Sequence, residues 1–250
     1  MRKELCYLIF CLAVLTGCKN DELKYGYVRK RKVDSFQQIL DLKKGGLLVM
    51  LHSRQNKIDA LNSIGKKDDA EKIKEKQKLK NLTIIKNFRN QFSFCPVYFF
   101  MNSQANDLVE KGAGSLTFLD DSLVPDTSIH FPGKKFLVAE FDNMQMDTAN
   151  YFSGYRKSTQ DSGSWEKSNH YSTSTFSYQA FIIESPMLIQ LKRPFPNFVM
   201  ITETDDRIFF CESVVIKINK RLYAFLENAK DKILARRFRP YFIDALRSTQ

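Results

Sequence analysis

The residues with the widest chemical repertoire are few and scattered in this chain. Its three histidines, His52, His130 and His170, show no HxH, HxxxH or HExxH spacing, so no local signature places two imidazoles at metal-ligand separation. Neither a metal site nor a cofactor is expected. His52 is the strongest acid–base candidate. It follows the apolar run Leu47 to Leu51 and precedes Ser53 and Arg54, and sites on mixed sheets gather just beyond strand ends. A carboxylate at another strand end, Glu140 or Asp142, could complete a site with it. A histidine that merely ends a strand at the surface is the plain alternative.

Other chemistry has weaker footing. The patterns G-x-S-x-G and G-x-x-x-x-G-K-[ST] do not occur. Gly112-Ala113-Gly114-Ser115 is followed by no helix and reads as a turn. Asp120-Asp121 and Asp205-Asp206 lack the ligand spacing of a calcium loop and read as turn acids. Cys95 and Cys211 lie in the aromatic settings FSFCPVYFF and RIFFCES, which suit either a disulfide in an exported protein or two buried free thiols.

Binding chemistry is more plausible. The stretch Asn143 to Ser174 is polar and carries Tyr151, Phe152, Tyr155, Trp165 and Tyr171, with Arg156, Lys157 and Lys167 among them. Exposed rings stack on sugar faces, and neighbouring cations hold anionic groups. Tyr155, Trp165 and Tyr171 are therefore candidate ligand contacts, although a loop folded on its own rings explains them as well. The formal charge is +11, an excess that favours anionic surfaces without naming a ligand. Much of it lies between Lys66 and Lys80, where acids alternate with bases as on a solvated helix face. Specific nucleic-acid binding is not expected.

These residues need elements to hold them. Val33 to Leu42 reads as a short amphipathic helix, Leu47 to Leu51 as a buried strand, and Ile58, Leu61 and Ile64 as one helix face ending at Gly65. From Asp68 a long helix runs towards Pro96, charged in its first half and apolar in its second. Val97 to Met101 follows as a strand, Gln104 to Lys111 as a helix capped by Asn102 or Ser103, and Leu116 to Leu119 and Lys135 to Phe141 as further strands. Residues 143–174 form a long loop. Thr175 to Ile183 alternates as a half-buried strand, with Met187 to Leu191 and Asn197 to Thr202 returning antiparallel around Pro194 and Pro196. A helical face from Val214 to Ala229 and a basic helix from Asp231 to Ser248 close the chain. The expected fold is α/β or α+β, one globular domain over 33–250 with a mixed central sheet flanked by helices.

The N-terminus has a different character. Met1, Arg2 and Lys3 precede an uncharged apolar run, Leu5 to Leu15, too short for a bilayer core of about 30 Å that takes roughly 20 helical residues. A basic start, an apolar middle and small residues at a boundary have the layout of a secretory signal peptide. Leu15-Thr16-Gly17-Cys18 resembles the lipobox of bacterial lipoproteins. The resemblance implies cleavage after Gly17, which removes 1–17, and lipid attachment to Cys18. Two or more acyl chains on one residue give the stable anchoring that a single chain does not. Residues 18–32 would then be a flexible tether, and the membrane would be reached through Cys18.

Further resemblances place the chain in an envelope. GGLLVMLHSRQNKIDAL, FSFCPVYFF and LKRPFPNFV resemble stretches of uncharacterised Bacteroidota lipoproteins, which brings no activity with it. Lys19-Asn20-Asp21-Glu22 resembles the surface-export signal of such lipoproteins, interrupted by Asn20, and implies the outer membrane and the cell surface. Asp121-Ser122-Leu123 and Asp147-Thr148-Ala149 resemble O-glycosylation sequons of exported Bacteroidota proteins. Two functions follow as expectations. One is a non-enzymatic binding or structural module whose partner is a glycan or an envelope protein. The other is an envelope hydrolase or transferase assembled around His52.

Overall fold

In the computed structural model, residues 30–145, 153–157, 165–169, 177–201 and 210–234 are described. A helix over 30–44 (α1) leads through Gly45 into strand β1, Gly46–Leu51. Helices α2 (Gln55–Ser63) and α3 (Lys67–Gln91) carry the chain back to strand β2, Val97–Met101. Helix α4 (Ala105–Lys111) precedes β3 (Phe136–Gln145); β4 (Ser153–Lys157), β5 (Trp165–Asn169), β6 (Ser177–Glu184) and β7 (Phe198–Met200) follow, then α5 (Phe210–Leu234).

Five strands make one mixed sheet in the order β2-β1-β3-β6-β7. β1 is parallel to both its neighbours, with Leu48 opposite Tyr98 and Val138. Every residue of β1 is buried, which explains its unbroken apolar sequence: a strand covered on both faces has no polar side to show. β3 pairs antiparallel with β6, and β6 with β7. The fold is α/β, with the mixed central sheet and flanking helices expected of it.

Alternate residues of the strands serve two cores. Leu47, Val49 and Leu51 share theirs with α1, α3 and α5, through residues such as Ile39, Phe88 and Ile218. Phe88 stands at its centre, with ring centroids of Phe92, Phe99 and Phe181 between 5.4 and 6.1 Å away. Leu48 and Met50 point the other way and pack with Phe100, Leu108 and Phe118.

Several expected boundaries move. β3 runs on to Gln145 because β6 continues to pair with it beyond the end of β1, from Asp142 opposite Ala180 to Gln145 opposite Ser177. Leu116 to Leu119 forms no strand. Leu119 makes one isolated bridge to Pro125, and Asp120 Oδ1 accepts from the backbone N–H groups of Ser122 and Val124, closing a turn there. Within the expected loop, β4 and β5 form a two-stranded antiparallel sheet, with Tyr155 opposite Lys167 and Lys157 opposite Trp165. Aromatic residues in short alternating runs favour strands. α5 continues through Asp231 without a break, since no Gly or Pro occurs between Phe210 and Leu234. Residues 235–250, the rest of the expected C-terminal helix, lie outside the described residues.

Candidate functional site

The parallel strands β1, β2 and β3 all end on one edge of the sheet, and a cleft of about 390 Å³ opens there. The chain leaves β1 through His52, Ser53 and Arg54, and three hydrogen bonds hold this exit. Asn81 on α3 donates Nδ2–H to the His52 carbonyl oxygen at 2.9 Å, while Gln77 donates to Asn81 Oδ1 at 2.8 Å. Ser53 N–H donates to Asn102 Oδ1 at 3.1 Å, tying the end of β1 to the end of β2. Both Gln77 and Asn81 are buried, so each bond removes a cost that an unsatisfied buried amide would otherwise exact.

Arg54 then turns the chain. It adopts φ 57°, ψ 23° at the N-terminus of α2, and its carbonyl accepts from the N–H groups of Lys57 and Ile58. A side-chain-bearing residue in this left-handed region costs roughly 1–2 kcal/mol. The turn puts Arg54, Gln55, Asn56 and Lys57 on the cleft wall. Opposite them stand Lys80 of α3 and Asp142 and Asn143 of β3. Burial lowers the Lys80 pKa from its ordinary 10.5, and the charges of Arg54 and Lys76 push the same way, against Cys211 and Asp142.

Of the two carboxylates weighed as partners of His52, Glu140 lies beside it. Imidazole Nε2 lies 3.2 Å from Glu140 Oε2, with the His52 side chain 28 % exposed and that of Glu140 fully buried. The two atoms approach without an aligned hydrogen bond between them. Their approach follows from register: Met50 is opposite Glu140 on neighbouring strands, so the residue two further along β1 projects from the same face. A buried carboxylate beside an imidazole orients the ring, which is the arrangement of an acid–base pair. Asp142, the other candidate carboxylate, lines the cleft itself.

The remaining candidates fall elsewhere. Cys95 and Cys211 form no disulfide; both are buried free thiols, packed as small hydrophobes in the helix-covered core. Burial pushes each thiol up to about 12. Tyr155 and Trp165 lie on β4 and β5, while Tyr171 and the lipid-attachment candidate Cys18 lie outside the described residues, as do His170, Asp205 and Asp206. His130 is exposed. Among the described residues no group of three or more His, Cys, Asp or Glu side chains is gathered as a metal ion requires.

Gln77, Asn81 and Lys80 are site residues that the charge pattern concealed. The helix face from Lys66 to Lys78 is largely exposed, as expected, but Gln77 and Asn81 turn inward. The available signal was spacing: Gln77 and Asn81 continue at i, i+4 the inward stripe of Ile84, Ile85 and Phe88. Searches of family models, curated proteins and solved structures found no match to this chain.

Proposed function

We propose that this chain is a lipid-anchored envelope protein whose α/β domain binds a small ligand in the cleft beyond β1 and β3. The anchor rests on the sequence Leu15-Thr16-Gly17-Cys18 behind its basic and apolar leader. Among the described residues no helix is long and apolar enough to cross a membrane. The binding role rests on one observation: a polar cleft of about 390 Å³ at the carboxyl ends of parallel strands, where open α/β sheets bind their ligands. The outer membrane and cell surface are the proposed location, and a glycan or envelope protein the proposed class of partner. Tyr155, Trp165 and Tyr171, aromatic residues of the stretch Asn143 to Ser174, are the competing candidates for ligand contact. The cleft is preferred because hydrogen bonds to Asn81 of α3 and to Asn102, just beyond β2, hold its rim in place.

Two experiments test this reading. Cells fed a labelled fatty acid are expected to label the wild type and not Cys18→Ala; label on the variant contradicts the anchor. A screen of soluble envelope glycans for thermal stabilisation is expected to give hits that Asn143→Trp, at the cleft wall, abolishes. Hits unaffected by that substitution contradict the cleft.

The contact between His52 and Glu140 favours a second reading, an envelope hydrolase or transferase in which His52 moves a proton and Glu140 orients it. On that reading His52→Ala and Glu140→Gln abolish turnover of ester, phosphoester or glycoside probes while ligand still binds. A wild type inert towards all three probe classes rules it out.

A further inference from the structure

The composition of the cleft wall says more about its ligand. Three cationic side chains, Arg54, Lys57 and Lys80, line the cleft with a single lining carboxylate, Asp142, while His52 already has the buried Glu140 carboxylate beside it. Neither Arg54 nor Lys80 makes a salt bridge with any described residue. We propose that the cleft takes a small acidic saccharide, with its carboxylate or phosphate group held between Lys80 and Arg54 and its hydroxyls held by Gln77, Asn102, Asn143 and Gln179. This inference rests on the cleft being the binding site and names what that site recognises.

Three observations converge on this ligand. First, the cations are unfavourably placed without it. Lys80 is half-buried, and the loss of water and the charge of Arg54 both weigh against its ammonium form. An anion seated between the two groups offsets both costs, and it is screened less than at an open surface. The N-terminus of α2 opens on the same wall and adds positive potential.

Second, the amides have capacity left. Gln77 uses its NH₂ on Asn81 and keeps its carbonyl oxygen; Asn102 uses its oxygen on Ser53 and keeps its NH₂. Asn143 and Gln179 stand opposite each other on β3 and β6 at the cleft wall. Carboxamides both donate and accept, which matches sugar hydroxyls that do the same.

Third, size and wall chemistry exclude bulkier anions. A volume of about 390 Å³ is near the lower end of small-molecule sites. Phe141 is the aromatic residue among its lining side chains, so the cleft provides no pair of rings to sandwich a nucleobase.

Calorimetric titration of the mature lipid-anchored protein in detergent micelles tests the proposal with glucuronate, glucose 6-phosphate, glucose and inorganic phosphate. At least one acidic sugar is expected to bind at least tenfold tighter than glucose and phosphate, and more weakly as salt rises. Lys80→Gln and Arg54→Gln are each expected to lose at least tenfold in affinity with an unchanged circular dichroism spectrum. Glucose binding as tightly as the acidic sugars, and lost in Asn143→Trp, overturns the charge argument while leaving the cleft standing. Phosphate binding as tightly as the acidic sugars reduces the site to an ion site and overturns the saccharide. Acidic-sugar binding that survives both charge substitutions and Asn143→Trp removes the cleft itself, and no binding of any of the four compounds overturns the proposal.

Discussion

The Asn81 amide donates to the backbone carbonyl of His52 across 2.9 Å, and Gln77 in turn donates to Asn81. One helix of mixed charge thereby fixes the point at which β1 ends and the cleft begins. Asn81→Ala leaves the Gln77 amide and the His52 carbonyl without this partner, and each such loss costs about 1–3 kcal/mol. Chemical denaturation is expected to show a loss of that order, with weaker ligand binding because His52 and Arg54 are no longer held. An unchanged unfolding midpoint contradicts the role given to Asn81.

Arg54 separates stability from binding. Its backbone lies in the left-handed region at φ 57°, which glycine adopts without the steric penalty of a Cβ. Arg54→Gly is therefore expected to change stability little, the relieved strain of roughly 1–2 kcal/mol being set against glycine's greater unfolded-state entropy. Affinity for an acidic sugar falls at least tenfold in the same protein. A large loss of stability, read from the denaturation midpoint, contradicts the strained turn.

Lys80 makes anion binding depend on pH. Burial first, then Arg54 and Lys76, lower its pKa from 10.5, opposed by Cys211 and Asp142. A group whose pKa is lowered begins to lose its proton below the ordinary value, and an anion beside it restores the proton. Binding is therefore expected to take up protons at alkaline pH, beginning below 10.5, and affinity to fall as pH rises through that window. Calorimetry in two buffers of different ionisation enthalpy measures the uptake. Equal uptake in Lys80→Gln contradicts the assignment.

The two buried thiols predict a different pH response. Cys95 and Cys211 are raised from 9.0 to about 12 by burial. Between these values the unfolded chain ionises its thiols while the folded chain keeps them protonated, so stability falls as pH rises through the window. The fall is about 1.4 kcal/mol per pH unit for each thiol. The doubly substituted Cys95→Ala, Cys211→Ala protein is expected to be less stable at neutral pH, yet to show a shallower decline above pH 9. Native protein is also expected to react slowly with a thiol reagent and rapidly once unfolded. An equal alkaline slope in both proteins contradicts the buried thiols.

Much of this architecture was legible because periodicity reports burial. The unbroken LLVML run announced a strand covered on both faces, and Val214 to Ala229 announced a helix with one apolar face. His52 and Glu140 were both nameable as strand-end residues. Their 3.2 Å approach was not, because it depends on β1 and β3 being neighbours in a register that no local pattern encodes. Lys80 was hidden by its company: a lysine in a run of lysines and acids is usually solvated, and only its partial burial at the cleft, near Arg54 and Asp142, sets this one apart. The strands at Ser153–Lys157 and Trp165–Asn169 were hidden by Ser- and Asn-rich surroundings that resemble a loop in composition.

The most direct measurement is nuclear magnetic resonance mapping of the isotopically labelled, lipid-anchored protein during titration with glucuronate and glucose 6-phosphate. The cleft account predicts that the amide resonances of His52, Arg54 and Asn143 move together and saturate, while the indole signal of Trp165, the chain's one tryptophan, stays still. Movement of the Trp165 indole with no change at His52, Arg54 and Asn143 would place binding on the aromatic residues of 143–174 and contradict the cleft.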